Sequence, residues 1–237
     1  MRLPISLAAL AAVFLGCTAL SQTGRAGSTT QVPPPAFSPS IEVSGIQTAV
    51  LAGGCFWGVQ AVFQHVKGVT LAQSGYTGGT TTAPGCDEVS TGHTGHAESI
   101  KIAYDPKQIS YGQLLQIFFS VVQDPTELDA QGPDEGTQYR SDIFAATPEQ
   151  REEAKTYITQ LDQAHVFANP IVTRVDALGP FFPAESYHQD FALRHPDHPY
   201  IVMNDAPKVT ELKRRFPALY RESPRVSRQP RWEVRVG

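Results

Sequence analysis

The chain has 237 residues, a formal net charge of −4 and 18% charged residues. That weakly acidic balance gives no electrostatic reason to expect a nucleic-acid partner. Three cysteines in a chain of this length do not make a disulfide framework, so their reactivity is the better question.

In chain order, residues 1–17 (MRLPISLAALAAVFLGC) place Arg2 before an apolar run too short to cross a bilayer, as an export signal does. Val13 to Cys17 resembles a bacterial lipobox, which implies lipidation of Cys17 and an exported protein, periplasmic or held at a membrane by its lipid only. Ordinary signal cleavage a few residues later is the alternative. Residues 18–44, rich in Ser, Thr, Pro and Gly, read as a flexible tether. Apolar periodicity then supports one domain over 45–220. Residues 221–237 carry five arginines without helical or strand period and read as a solvated tail, with contact to lipid headgroups as the other reading.

Within the domain, Gln47–Ala52 predicts a buried strand and FWGVQAVFQHV a helix, with Gly53 and Gly54 turning between them. Cys55 therefore falls at the first turn of a helix. VTLAQSGYTGG predicts a strand entering a glycine-rich loop. In HAESIKIAYDP, alternation puts Glu98, Ile100, Ile102 and Tyr104 on one strand face. Ser110 with Gln113, and Thr147 with Gln150, form capping-box patterns before two helices. A long loop between those helices feeds a strand near Ser141–Ala146. IVTRVDAL predicts another strand and PAESYHQDFALRH a further helix. The mixture lacks regular βαβ alternation and points to α+β: a mixed sheet with packed helices, a two-layer, ferredoxin-like sandwich with a nucleophile at a helix N-terminus.

Several residues in this frame could carry chemistry. A helix start offers free amides and partial positive charge, which favour Cys55 as thiolate; an inert buried thiol is the alternative. Phe56 and Trp57 point about 100° apart on a helix, so one can pack in the core while the other lines a pocket beside the thiol. Glu98, an acid on an apolar strand face, is either desolvated and proton-holding or solvated at the strand end. Cys86, His93, His96 and Glu98 could in principle ligate a metal, but their spacing completes no known four-ligand set, and no metal is expected. Asp134, Tyr139 and Arg140 read as turn and cap residues. His188 reads as a packed or capping histidine.

Together, GGCFWG, GYTGG, STGHTGHAE, YDP with ISYGQLLQIFF, GPDEGTQYRS and PAESYHQDF resemble the peptide methionine sulfoxide reductase A family, in order from about Ala49 to Phe216. The resemblance implies a protein-repair oxidoreductase of oxidative stress, acting on the S epimer of methionine sulfoxide in proteins or as the free amino acid. It implies that Cys55 attacks the sulfoxide sulfur and becomes a sulfenic acid. Phe56 and Trp57 would receive the methyl group, Glu98 would protonate the oxygen, and Asp134 and Tyr139 would help hold it. It further implies a monomer with no cofactor beyond an external thiol reductant such as thioredoxin. Two departures stand out. No cysteine follows Cys86, where many members carry resolving cysteines, and Cys86 stands where many carry a tyrosine. Cys86 is therefore the candidate resolving thiol. The competing classes are general thiol redox chemistry and a non-catalytic module that binds oxidised methionine.

Overall fold

The computed structural model describes residues 32–38 and 45–227. The signal and lipobox reading at 1–17, Cys17 included, and the end of the Arg-rich tail fall outside the described residues.

Strand β1 (Gln47–Gly53) runs through the middle of a six-stranded sheet ordered β7-β6-β1-β3-β2-β8. It lies antiparallel to β3 (Ala97–Tyr104) on one side and to β6 (Ser141–Ala145) on the other. Beyond β3 come β2 (Val69–Thr77) and the short β8 (Phe182–Pro183), both antiparallel. Only β6 and β7 (Arg174–Ala177) run parallel. Alternation along each strand divides the sheet into two faces. One carries the main core: Leu51, Ile100, Ile102 and Ile143 meet helices α1 (Phe56–Gln64), α3 (Tyr111–Ile117), α4 (Pro148–Gln163) and α6 (Ala206–Arg215). The other holds a small cluster, Val50, Ala52, Ala97 and Phe144 under Leu178 and Phe181. This is the expected mixed-sheet α+β architecture.

The local signals hold unevenly. Both halves of the Ser110–Gln113 box are formed, at 2.9 and 3.1 Å. Thr147 accepts from the Gln150 amide at 3.2 Å, while the Gln150 side chain accepts from Ala146 N at 2.9 Å, one residue before the cap, and donates to Thr48 O in β1 at 2.8 Å. The helix predicted over PAESYHQDFALRH shrinks to a single turn, α5 (Phe191–Arg194). Gln189 is the cause: its side chain bonds Ser74 N and O and Ala184 O, which ties the segment to the edge of β2. Asp190 then takes φ +57° to start the turn.

Two stretches expected to be solvated are docked. Val32–Ser38 lies inside the stretch read as a tether, yet Val32 is buried, Tyr157 donates to Pro33 O at 2.6 Å and Gln160 to Pro34 O at 3.0 Å. Prolines leave carbonyls without matching N–H groups, and helix side chains supply the donors. Arg221–Ser227, the start of the supposed solvated tail, bonds the end of α1 through Arg221 N to His65 O and Arg225 N to Gln64 O, both 2.8 Å. Ser227 adds a hydroxyl bond to Ala72 O at 2.6 Å.

Candidate active site

At the end of β1 the chain reverses through Gly54, whose φ of +86° suits glycine, and enters α1. Cys55 is the N-cap of that helix and only 9% exposed. The sulfur therefore sits among the first amides of α1, as the sequence indicates. Its ionisation does not follow the helix argument. Burial pushes the thiol well above its ordinary range; Glu98, Asp205 and Asp134 push the same way, against a hydrogen bond from the Trp57 amide. Desolvation beside three acids exceeds what one helix end can offset. This environment favours the neutral thiol.

Glu98 lies on β3, opposite Tyr76 of β2, at the end of the sheet face that α1 covers. It is 7% exposed, and its Oε2 accepts the Phe56 N–H at 3.0 Å. The carboxyl thus occupies the first free amide after Cys55, which brings the two predicted groups to one helix end. Burial raises its pKa to about 8, with Asp134 and Asp205 adding to the rise and the Phe56 bond opposing it. Of the two readings of Glu98, its burial favours the desolvated one over the solvated strand end.

The aromatics divide the work of their positions. Phe56 is fully buried, its ring 5.0 Å from His188 and 5.7 Å from Tyr76. Trp57 is half-buried and stacks on Phe191 at 3.8 Å and 11°, with Tyr200 edge-on at 5.9 Å. Its indole N–H donates to His188 Nδ1 at 3.1 Å. His188 is therefore neutral at Nδ1, and burial lowers its pKa against the pull of Glu185. The packed-histidine reading holds in part: the imidazole is packed, and what it holds is a site aromatic.

The loop before β6 contains a small hairpin, β4 (Ala130–Gln131) with β5 (Asp134–Glu135), then a 3₁₀ turn at Thr137–Tyr139. The hairpin places Asp134 at the site, where its carboxylate accepts the Tyr200 hydroxyl. Tyr139 comes off the turn and is raised in pKa by burial and then by Glu98, Asp134 and Cys55, which puts it in their company. Arg140 is structural: buried, it bonds Asp142 at 3.1 Å and Thr137 O at 2.9 Å, bracing the turn that carries Tyr139.

Cys86 opens a short helix, α2 (Cys86–Ser90), and its environment differs from that of Cys55. Its amide donates to Glu185 Oε1 at 2.9 Å, while Tyr76 donates to Glu185 Oε2 at 2.9 Å. Its sulfur lies 3.8 Å from Ser90 Oγ and faces the Tyr187 hydroxyl. Both Cys55 and Cys86 are free thiols. A ladder of contacts runs from α1 through Phe56, Tyr76 and Glu185 to Cys86. The metal alternative fails on His96, whose ring nitrogens are taken by Gly79 N at 3.1 Å and Thr81 O at 2.7 Å. Among the described residues no group of three or more His, Cys, Asp or Glu side chains could hold a metal.

A buried thiol and a proton-holding carboxylic acid on one helix end, flanked by aromatics, is the geometry the motifs imply. The family model of peptide methionine sulfoxide reductase matches residues 47–219. The chain belongs to the peptide methionine sulfoxide reductase family. A peptide methionine sulfoxide reductase of Mesorhizobium japonicum, MsrA 2, is 58% identical over 180 residues, 76% of this chain and 92% of that one. The MsrA 2 of Synechocystis is 51% identical over 177 residues, 75% and 83% of the two chains. Among solved structures, reduced Mxr1 of Saccharomyces cerevisiae superposes with a TM-score of 0.59 at 28% identity, covering 68% of this chain and 93% of that one. Methionine sulfoxide reductase A of Corynebacterium diphtheriae gives 0.56 at 32% identity, covering 65% and 77%. The reductase is an oxidoreductase of peptide-methionine (S)-S-oxide that works through a catalytic cysteine.

Sequence reasoning did not single out Tyr200, Phe191 or Asp205. Tyr200 and Phe191 carry no local signal, because their partners Asp134 and Trp57 are remote in the chain. Asp205 precedes Ala206-Pro207 and looks like an ordinary helix cap, but its side chain makes no cap bond.

Proposed function

We propose that reduction proceeds by attack of Cys55 Sγ on the sulfoxide sulfur, with Glu98 as proton donor to the oxygen. The supporting observation is the shared helix end: Glu98 Oε2 sits 3.0 Å from Phe56 N, one residue past the thiol, with a pKa near 8. Sulfoxide oxygen is a poor leaving group until protonated, and a carboxyl that stays neutral at pH 7 can supply the proton. As the Sγ–S bond forms, Cys55 loses its proton, which restores Glu98. The protonated oxygen then transfers from the substrate sulfur to Sγ, the S–O and Sγ–S bonds both breaking, which leaves a sulfenic acid on Cys55 and releases methionine. The methionine sulfur gains two electrons and Cys55 gives up two. Trp57 and Phe56 receive the methyl group, while Tyr139 and the Asp134–Tyr200 pair border the oxygen side.

A turnover assay on separate S and R epimers of a methionine sulfoxide peptide, with dithiothreitol, tests this reading. It predicts reduction of the S epimer alone; equal turnover of both epimers, or of neither, refutes it.

Cys86 is the resolving thiol in this reading. Its attack on the Cys55 sulfenic acid releases water and forms a disulfide, which a thioredoxin-like dithiol reduces. The step needs the two Cα atoms within about 7 Å; Glu185, which accepts from the Cys86 amide and from Tyr76, links α2 to the strand beside the site. Mass spectrometry after one equivalent of substrate without reductant should find Cys55 linked to Cys86. A lasting Cys55 sulfenic acid with Cys86 free, and normal cycling of Cys86→Ser, would remove Cys86 from the pathway.

A further inference from the structure

One acid at this site has no part in the chemistry above. Asp205 ends a π-helical turn, Ile201–Asp205, that leads into α6, and it is completely buried. Neither of its carboxyl oxygens has a hydrogen-bond partner among the described residues. Lys208 Nζ is 3.8 Å from Oδ1, an ion pair too long to be a hydrogen bond. A Cβ built on Gly58 would lie 2.1 Å from that same oxygen. The carboxyl therefore rests on bare backbone in the first turn of α1, three residues past Cys55. A buried, underpaired carboxylate is costly, and one pressed against the nucleophile's own helix calls for a reason.

We propose that Asp205 is a positioning residue whose carboxylate, seated on Gly58, holds Cys55 as the unreactive thiol and Glu98 as the acid until sulfoxide enters. This rests on Cys55 being the nucleophile. The groups that face the cluster are Cys55 and His65 from either end of α1, Glu98 from β3, Asp134 from β5, Tyr139, Tyr200 and Lys208. Asp205 is raised by burial to about 6, with Lys208 opposing, whereas Glu98 is raised to about 8. Near pH 7 Asp205 is thus charged while Glu98 keeps its proton. A nearby negative charge disfavours a second one, on sulfur or on Glu98. Since oxidation and alkylation follow thiolate character, the resting enzyme is shielded from non-substrate oxidants. A sulfoxide sulfur carries partial positive charge, so its arrival beside Sγ counters the carboxylate and releases the nucleophile.

The test is the rate of iodoacetamide alkylation of Cys55 in the full chain, followed by peptide mass mapping from pH 6 to 10. Asp205→Asn should speed alkylation at pH 8 roughly three- to tenfold and lower the midpoint by about half to one pH unit. Lys208→Ala, which removes the opposing cation, should slow it at pH 9, where Asp205 is charged even without Lys208. An unchanged midpoint in Asp205→Asn, or faster alkylation by the same factor at every pH, overturns the proposal, because loosening alone gives the latter. Should Asp205→Asn fail to fold, Lys208→Ala decides: slower alkylation supports the proposal, and unchanged or faster alkylation overturns it. Failure of the Cys55 reading is separable, since it appears as sulfoxide turnover that survives alkylation of Cys55.

Discussion

Replacing Cys55 with serine should reduce sulfoxide turnover to background while leaving the fold intact. Serine is close in size and sits at an N-cap, a position it favours, so α1 has no reason to fray. The hydroxyl cannot take the oxidised form that the reaction requires of sulfur, so no part of the two-electron transfer survives. A binding module would behave differently: Cys55→Ser would keep its affinity for oxidised methionine and lose nothing measurable. Circular dichroism and a methionine-release assay on the same preparation separate the two cases. Retention of even a tenth of wild-type turnover would exclude Cys55 as nucleophile.

Glu98→Gln should slow reduction by about 10²–10⁴-fold, the usual effect of losing a general acid. Glutamine keeps the shape and can still accept the Phe56 N–H through its carbonyl, so the loss reports on the proton and not on the helix end. The pH dependence carries a sign. Glu98 is raised from 4.5 to about 8, so the competent, protonated form is full below that value and is lost as pH rises through it. Wild-type kcat/KM should therefore fall above about pH 8, and the Glu98→Gln profile should lack that limb. A mutant with near-wild-type turnover at neutral pH, or one that keeps the alkaline limb, would take Glu98 out of the mechanism.

How far the site could be read from the sequence depends on the range of the forces involved. Cys55 at a helix start followed from Gly53-Gly54 and the apolar spacing after it, both local properties. Glu98 on the covered face followed from strand alternation. The protonation of Cys55 did not follow, because it depends on desolvation and on Asp134 and Asp205, which only tertiary packing brings near. The single turn α5 was likewise hidden: PAESYHQDFALRH has helical spacing, yet Gln189 pairs with the backbone of β2, more than a hundred residues earlier. The docking of Val32–Ser38 was misread for the same reason. Its composition is that of a tether, and the donors that fix it belong to α3 and α4. The motifs carried the rest, since they gather into one resemblance what chain order scatters.

The most direct test of the account is a single turnover of the Cys86→Ser protein with one equivalent of S-sulfoxide peptide, quenched with a sulfenic-acid trap and mapped by mass spectrometry. The account predicts one equivalent of methionine and one trapped sulfenic acid, located on Cys55. Methionine formed while Cys55 remains an unmodified thiol would contradict it.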